Sequence, residues 1–309
     1  MAFSRPSIGT TQDTGYNWSS PTVIGGRIFV GISSQCDNPL IRGGVRSLDQ
    51  ASGTVLHTYR SVPSGDVGGS VWTSAASDST GVWVTVGNGT SGDSFGMVRL
   101  DAATLAKQGA WIVPGTAGTD LDWGSSPTLF SATVNGTATP MVGACNKNGT
   151  YYALRAGDVA SGPVWSRKVG KTAGFAAGSG SCLAAAIWDG TNRRVIVGSN
   201  ATTIGGVTNA GSVRSLTPAT GRQVWVTPVD GGPIMGSPAL SGGNVIAAGT
   251  YNTLDAASNR VYLIDAATGK VVNTIAPSAA VFAQPVFADA DLFVATKAGR
   301  LTAYVATAR

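Results

Sequence analysis

The stretch Met235–Val305 says the same thing twice. Its first copy reads GSPALSGGNVIAAG, then a loop, then NRVYLIDAATGKVVNTI. Its second reads AQPVFADADLFVAT, a shorter gap, and GRLTAYV. Each copy is a short apolar run after a Ser-Pro or Gln-Pro step, a tight Gly or Asp turn, a second run and a third. In the first copy a D-A-A-T-G turn leads into a fourth run. Runs of this length, rich in Val, Ile, Leu and Tyr and broken by Gly, Asp and Asn, are β-strands. Four strands recurring every 40 to 50 residues or so are the mark of propeller blades.

The register extends over the chain, with repeats beginning near residues 18, 71, 123, 181, 235 and 281. First strands carry Ser20-Pro21, Ser74-Ala75, Ser126-Pro127, Ala184-Ala185, Ser237-Pro238 and Gln284-Pro285. Second strands are expected at Arg27–Ile32, Val82–Gly87, Pro140–Cys145, Arg194–Ser199, Asn244–Gly249 and Asp291–Thr296. Third strands are expected at Gly43–Asp49, Gly96–Asp101, Gly149–Arg155, Gly211–Thr217, Asn259–Asp265 and Gly299–Val305. Fourth strands should follow turns at Ser52-Gly53, Thr104-Leu105, Ser161-Gly162, Thr220-Gly221 and Thr268-Gly269. The last repeat lacks a fourth strand of its own. The expectation is an all-β, six-bladed propeller of four-stranded antiparallel blades in a single domain, 1–309. Within it Met1–Tyr16 is the closing segment, Ala2–Ile8 pairing with the last blade and removing an open sheet edge.

Composition agrees. The 309 residues include 43 glycines and only 12% charged side chains, which suits turns and strands rather than amphipathic surface helices. No apolar run approaches the 18 or so residues that cross a membrane, and Met1–Thr10 is too polar for a signal peptide. Sparse lysine and frequent Asn-Gly-Thr turns point to a secreted, periplasmic or cell-surface protein whose signal has been removed. The net charge of +5 is carried mostly by scattered arginines that do not interleave with aromatics, which argues against nucleic acid as a partner. Three cysteines, Cys36, Cys145 and Cys182, form neither a complete disulfide framework nor a C-x-x-C metal pair. They read as buried small hydrophobes or as one bridge, Cys145 to Cys182 in neighbouring blades.

Connection lengths divide the chain's two sets of turns. Turns between first and second strands, and between third and fourth, are short. Links between second and third strands (Ser33–Arg42, Asn88–Phe95, Asn200–Ala210 and Thr250–Ser258) are long and varied, as are the blade links Ser61–Val71, Pro114–Leu121 and Gly170–Ser181. Variable loops on a rigid scaffold are where binding and chemistry concentrate. Their ionisable groups are Asp37, Arg42, Asp66, Asp93, Asp120, Asp122, Lys147, Lys171 and Asp255. Asp120 and Asp122 flank Leu121, and two carboxylates on one side can hold a cation or raise one another's pKa for general-base work. They serve equally as turn caps, and so does Lys147 in its N-K-N-G turn. His57, the lone histidine, falls in an outer strand with no G-x-S-x-G elbow in the chain, so a hydrolase triad has no support. A zinc site has none either.

Repeats of the form S-P-x-V, x-V-[YF]-V-G and V-x-x-L-D-A-A-T-G-x-V-x-W resemble the quinoprotein alcohol dehydrogenase-like propellers, which bind pyrroloquinoline quinone (PQQ). The resemblance runs from Trp18 to Val305, and the order of loop motifs is similar to polyvinyl-alcohol dehydrogenases and other alcohol dehydrogenases of that group. It implies that Trp72, in G-G-S-V-W-T-S, stacks on the quinone and that Asn88, in T-V-G-N-G, is a calcium ligand. It implies that Asp122, in D-L-D-W-G-S-S-P, is the general base beside the metal. Lys147, in N-K-N-G-T-Y-Y-A-L, would polarise a quinone carbonyl.

The departures are specific. Where the family has a metal-binding glutamate, near Gln35–Asp37, this chain offers Cys36 and Asp37, so Asp37 is the substitute ligand. The family's vicinal cysteine pair and any haem-attaching C-x-x-C-H are absent from the sequence. Family enzymes have about seven or eight blades, so the chain resembles a shortened relative or a fragment. Two functions follow. One is a binding scaffold presenting its long loops to a protein, a glycan or a small alcohol. The alternative is a PQQ- and calcium-dependent oxidoreductase acting on an alcohol or sugar.

Overall fold

Repeated hydrogen-bonding residues, not only apolar alternation, set the pitch of this chain. The computed structural model describes residues 15–37, 39–173, 180–242 and 244–305. Nearly every regular element is a strand. The first sheet is β1 (Thr22–Ile24), β2 (Arg27–Ile32), β3 (Gly44–Asp49) and β4 (Val55–Arg60); the second is β5 (Ala76–Ser77), β6 (Gly81–Thr85), β7 (Gly96–Asp101) and β8 (Lys107–Ile112). The third is β9 (Thr128–Val134), β10 (Thr137–Cys145), β11 (Thr150–Arg155) and β12 (Asp158–Lys168). In the fourth, β13 (Ile187–Asp189) and β14 (Arg194–Ser199) are separated by a two-stranded ribbon, β15 (Thr202–Ile204) with β16 (Val207–Asn209), from β17 (Gly211–Leu216) and β18 (Gln223–Val229). The fifth is β19 (Ala239–Ser241), β20 (Val245–Gly249), β21 (Val261–Asp265) and β22 (Val271–Ile275). The last comprises β23 (Val286–Ala288), β24 (Asp291–Ala295) and β25 (Leu301–Val305). A 3-10 turn at Ala256–Ser258 is the one helical piece among the described residues.

Each sheet is a consecutive antiparallel meander, as the repeat predicts. Two expectations are adjusted. Residues Ser161 and Gly162 lie inside β12 rather than in a turn, and the third sheet turns at residues 156–157. A Cβ on Gly162 would sit 3.1 Å from Nε1 of Trp111, so this glycine admits an indole rather than reversing the chain. The stretch Asn200–Ala210 contains the β15–β16 ribbon about Gly205 and Gly206. Its T-T-I-G-G-V-T-N pattern is the signature of a two-residue hairpin. The expected pairing of Ala2–Ile8 lies outside the described residues. Within its three-stranded sheet β25 pairs only with β24, and Leu301 and Val305 are each 68% exposed.

The described chain divides into two compact units, and the division passes through the third sheet. The first contains residues up to Leu129 together with Pro140–Ala144 and Ala153–Pro163; the second contains the remainder. The first unit's core joins Phe29, Val45, Val71, Val82, Val84, Val98 and Leu100. In the second, Ile196, Val213, Ile234, Ile246 and Ile264 form one cluster, and Val261, Val281, Leu292 and Val294 another.

Repeat residues act between successive sheets within each unit. Ser74 Oγ accepts the Ser20 amide at 3.0 Å, Ser126 Oγ accepts the Ser74 amide at 2.9 Å, and Ser237 Oγ accepts the Ala185 amide at 3.0 Å. The serine of the S-P step is therefore a hydrogen-bonding staple from one blade to the previous one. In the second unit, Trp165 and Trp225 donate Nε1–H to Pro218 O (2.8 Å) and Ala266 O (3.2 Å). Their rings lie against Gly221 and Gly269, where a Cβ would collide with the indole. Both glycines also have positive φ, +64° and +76°, so the turn and the indole contact demand the same residue.

Candidate functional site

Four backbone segments of the first unit are laced together where the long loops emerge. Gly43 N–H donates to Gly68 O (2.9 Å), Gly69 N–H to Asn88 O (2.5 Å) and Gly87 N–H to Ser70 O (2.7 Å). Ser34 N–H donates to Ser70 Oγ at 2.9 Å. Serines and glycines dominate here because backbones must approach closely and the amides still need partners. The lacing fixes the loops that bear Asp37, Trp72 and Asn88.

Trp72 Nε1–H donates to Asp122 Oδ2 at 3.2 Å. Asp122 is 2% exposed, whereas the Trp72 ring is half-buried. The indole thus orients a buried carboxylate. Next to it, the Asn88 amide donates its two N–H groups to Asp37 Oδ2 and Asp120 Oδ1, both at 3.0 Å. Asn88 Oδ1 is buried and, among the described residues, makes no hydrogen bond. Gly87 lies between the two pairs, its virtual Cβ 3.0 Å from Asp122 Oδ2 and 3.3 Å from the Trp72 ring. Cys36 and Asp37 both adopt positive φ, +46° and +57°.

Trp72, Asn88, Asp122 and Asp37, singled out from the sequence, therefore lie in one unit as two hydrogen-bonded groups, Trp72 with Asp122 and Asn88 with Asp37. Asp120 accepts from Asn88, whereas Asp122 accepts from Trp72. Lys147 belongs to the second unit. There its carbonyl accepts Ala173 N–H at 2.7 Å, inside an Asn146–Thr150 turn. The adjacent Cys145 is bridged to Cys182 with Cα atoms 5.7 Å apart, the pairing expected between neighbouring repeats. Cys36 is a free, exposed thiol. His57 is exposed on β4. Among the described residues no three His, Cys, Asp or Glu side chains gather in a metal-binding group.

Tyr59 and Lys107, on the outer strands β4 and β8, carry no functional signal in the sequence. Both hold Asp93: Tyr59 Oη donates at 2.5 Å, and Lys107 Nζ lies 3.0 and 3.1 Å from the two carboxylate oxygens. Outer-strand residues carry no loop signature, so only Asp93 was visible.

A family model described as outer membrane protein assembly factor BamB, of the PQQ_2 type, matches residues 209–308. No curated protein matches the sequence. Among solved structures, a quinohemoprotein alcohol dehydrogenase of Pseudomonas putida HK5 aligns with TM-score 0.74 at 15% identity, over 95% of this chain and 57% of its own. The quinohemoprotein alcohol dehydrogenase of Comamonas testosteroni aligns at 0.66 and 17%, over 89% and 55%. A europium-containing methanol dehydrogenase aligns at 0.67 and 16%, over 92% and 64%. The chain thus spans little more than half to two thirds of these proteins, and at such identities the likeness is one of fold. No helix among the described residues is long and apolar enough to cross a membrane. Repeat, sheet topology and neighbours agree on a β-propeller fold, and a PQQ-type repeat is matched directly over residues 209–308.

Proposed function

We propose that the first unit's loops form a cofactor site of the quinoprotein kind, and that the chain oxidises an alcohol or sugar. The observation that carries this reading is the contact chain Trp72–Asp122 beside Asp37–Asn88–Asp120. The Asn88 oxygen and the Asp37 and Asp120 carboxylates are the hard-oxygen donor types that a divalent cation such as calcium takes; the carboxylates here meet the N–H side of the amide, so binding an ion requires the amide to turn over. Asn88, Asp37 and Asp122 would hold it, with Asp120 adjacent. PQQ, when bound, supplies the electron-accepting carbonyl. Trp72 offers the half-buried ring for stacking. Asp122, oriented by the indole N–H, is the carboxylate to accept a substrate hydroxyl proton. Lys147 belongs to the second unit and takes no part in this first-unit reading. We place the whole of 1–309 in one propeller domain and outside the cytoplasm; the Cys145–Cys182 bridge supports an oxidising compartment.

A second reading is a partner-binding scaffold that presents Ser33–Arg42, Asn200–Ala210 and Thr250–Ser258 to a protein or glycan. It is favoured by the assembly-factor description of the matched repeats and by an aromatic cluster in the second unit. There Tyr251 and Phe282 meet edge to face at 5.3 Å, Lys297 Nζ lies 3.1 Å from the Tyr251 hydroxyl, and Phe282 is 48% exposed.

Calorimetric titration of PQQ with calcium separates the two. Micromolar or tighter binding, lost in Trp72→Ala and weakened in Asn88→Ala, is expected. Asp122→Asn should bind the quinone yet lose turnover with an artificial acceptor by about a hundredfold or more. Absence of binding heat in the wild-type protein would retire the quinoprotein reading in favour of the scaffold.

A further inference from the structure

Asp93 is a buried carboxylate that the site chemistry above does not use. It is 7% exposed, and a buried charge is tolerated only when paired and hydrogen-bonded. Its partners come from both flanking outer strands, Tyr59 on β4 and Lys107 on β8. Its own backbone is engaged as well: Asp93 N–H donates to Ser61 O at 2.7 Å, and Gly96 N–H donates to Asp93 O at 3.0 Å. Burial first, and the Asp93 carboxylate second, push the Tyr59 phenol far above its usual range, so Tyr59 is a hydrogen-bond donor at any working pH.

This knot sits five residues along the chain from Asn88, in a loop that has no regular structure between Val86 and Phe95. The intervening anchor is Ser91 Oγ on Asp66 Oδ2, at 2.5 Å. At the other end Asn88 O receives Gly69 N–H and the Asn88 amide spans Asp37 and Asp120. A loop of this kind keeps its shape only where its ends are tied. We propose that Asp93 is a positioning residue for the candidate site: clamped by Tyr59 and Lys107, it fixes the loop that presents Asn88 to Asp37 and Asp120. What the site does with that geometry rests on the reading proposed above; the clamp itself does not.

Hydrogen exchange on the wild type, Asp93→Asn, Tyr59→Phe and Lys107→Met tests the clamp without any ligand. In Asp93→Asn, exchange of the Gly69 amide, which reports the Asn88 carbonyl, should quicken about tenfold or more while amides of β6 and β7 keep their protection. The two single-contact variants should show smaller rises at the same amide. In parallel, PQQ with calcium should bind Asp93→Asn about tenfold more weakly, with Lys107→Met intermediate. Unchanged Gly69 exchange in the soluble variants overturns the proposal, and so does an equal rise across the whole sheet, which would make Asp93 a general stabiliser. If Asp93→Asn does not fold, Tyr59→Phe and Lys107→Met decide by the same criterion. Failure of the wild type to bind PQQ overturns the quinoprotein reading alone and leaves the exchange result to judge the clamp.

Discussion

Two loops join a second strand to a third around an asparagine, one in each unit, and they use the amide in opposite ways. In the second unit Asn259 closes its loop on itself. Its Nδ2 donates to Asn252 O (2.8 Å), Ala256 O (3.1 Å) and Asp255 O (3.3 Å), and its Oδ1 accepts Asn252 N–H at 2.8 Å. Asn259 is fully buried and every polar atom of its side chain is engaged. In the first unit Asn88 reaches away from its own loop to two carboxylates on other segments, and its oxygen is left without a bond. A self-satisfied amide is architecture. An amide that reaches outward to carboxylates and leaves its own acceptor open contributes less to the fold.

The sharpest way to break the first loop without touching its functional groups is at Gly92. Its φ is +61°, and a Cβ there would collide with Ser61 O and lie 2.9 Å from Val62 Cα, both backbone atoms that cannot rotate away. Gly92→Ala should cost about 3 kcal/mol or more in a urea unfolding measurement. It should also abolish binding at Asn88, because the strand of chain holding Asp93 to Ser61 is pushed off. A loss under about 1 kcal/mol would mean that the lacing is looser than the contacts indicate.

The asparagines themselves come next. Asn259→Ala strands several backbone carbonyls inside a closed loop and should destabilise by about 2 kcal/mol. Asn88→Ala removes two exposed-side bonds to carboxylates that water can replace, and should change stability by no more than about 0.5 kcal/mol. Equal losses at the two positions would erase the contrast and make Asn88 as structural as Asn259.

What could be read from the sequence follows the same division. Sheet order and most strand limits were legible because Val, Ile and Leu alternate between short turns, and a period-2 pattern depends only on neighbours along the chain. The S-P serine and the Trp–Gly pairing were visible as repeat letters, but their roles as an inter-blade staple and an indole rest were not, since each partner lies a full repeat away. The β15–β16 ribbon carries its own hairpin signature inside a stretch whose length marks it as a loop. At the site, Asp37 and Asp122 stand out as carboxylates of the long loops, whereas Trp72 and Asn88 are singled out only through the family pattern. Spacing alone marks Asp120 and Asp122 as a pair, and only the contacts give each its own partner, Asn88 and Trp72. Tyr59 and Lys107 had no signal at all, because an exposed lysine and a strand tyrosine are ordinary until a buried carboxylate is found between them.

The smallest effect concerns a feature both units share, and so acts as the control on their difference. In the turn that opens each fourth strand, Asp101 in the first unit accepts from Thr104 Oγ (2.8 Å), Thr104 N–H (2.9 Å) and Ala103 N–H (3.0 Å). Asp265 in the second accepts from Thr268 Oγ (2.6 Å) and N–H (2.7 Å). In both, the side-chain hydrogen bond and then the backbone one hold the carboxyl below its ordinary value. A folded pKa below the unfolded one means that the folded state favours the ionised form. The stabilisation is therefore complete above an unfolded pKa of about 3.9 and is lost as pH falls through the lower folded value. Asp101→Asn and Asp265→Asn should each lower the urea midpoint slightly at pH 7, to the same extent, and the difference from wild type should vanish in strong acid. Both carboxylates are solvent-exposed, so screening keeps the effect small. If Asp101→Asn weakened the protein more than Asp265→Asn and the gap persisted below about pH 3, the turn beside the first unit's loops would be doing more than capping itself, and the boundary drawn between architecture and site would have to move outward from Asn88 to include it.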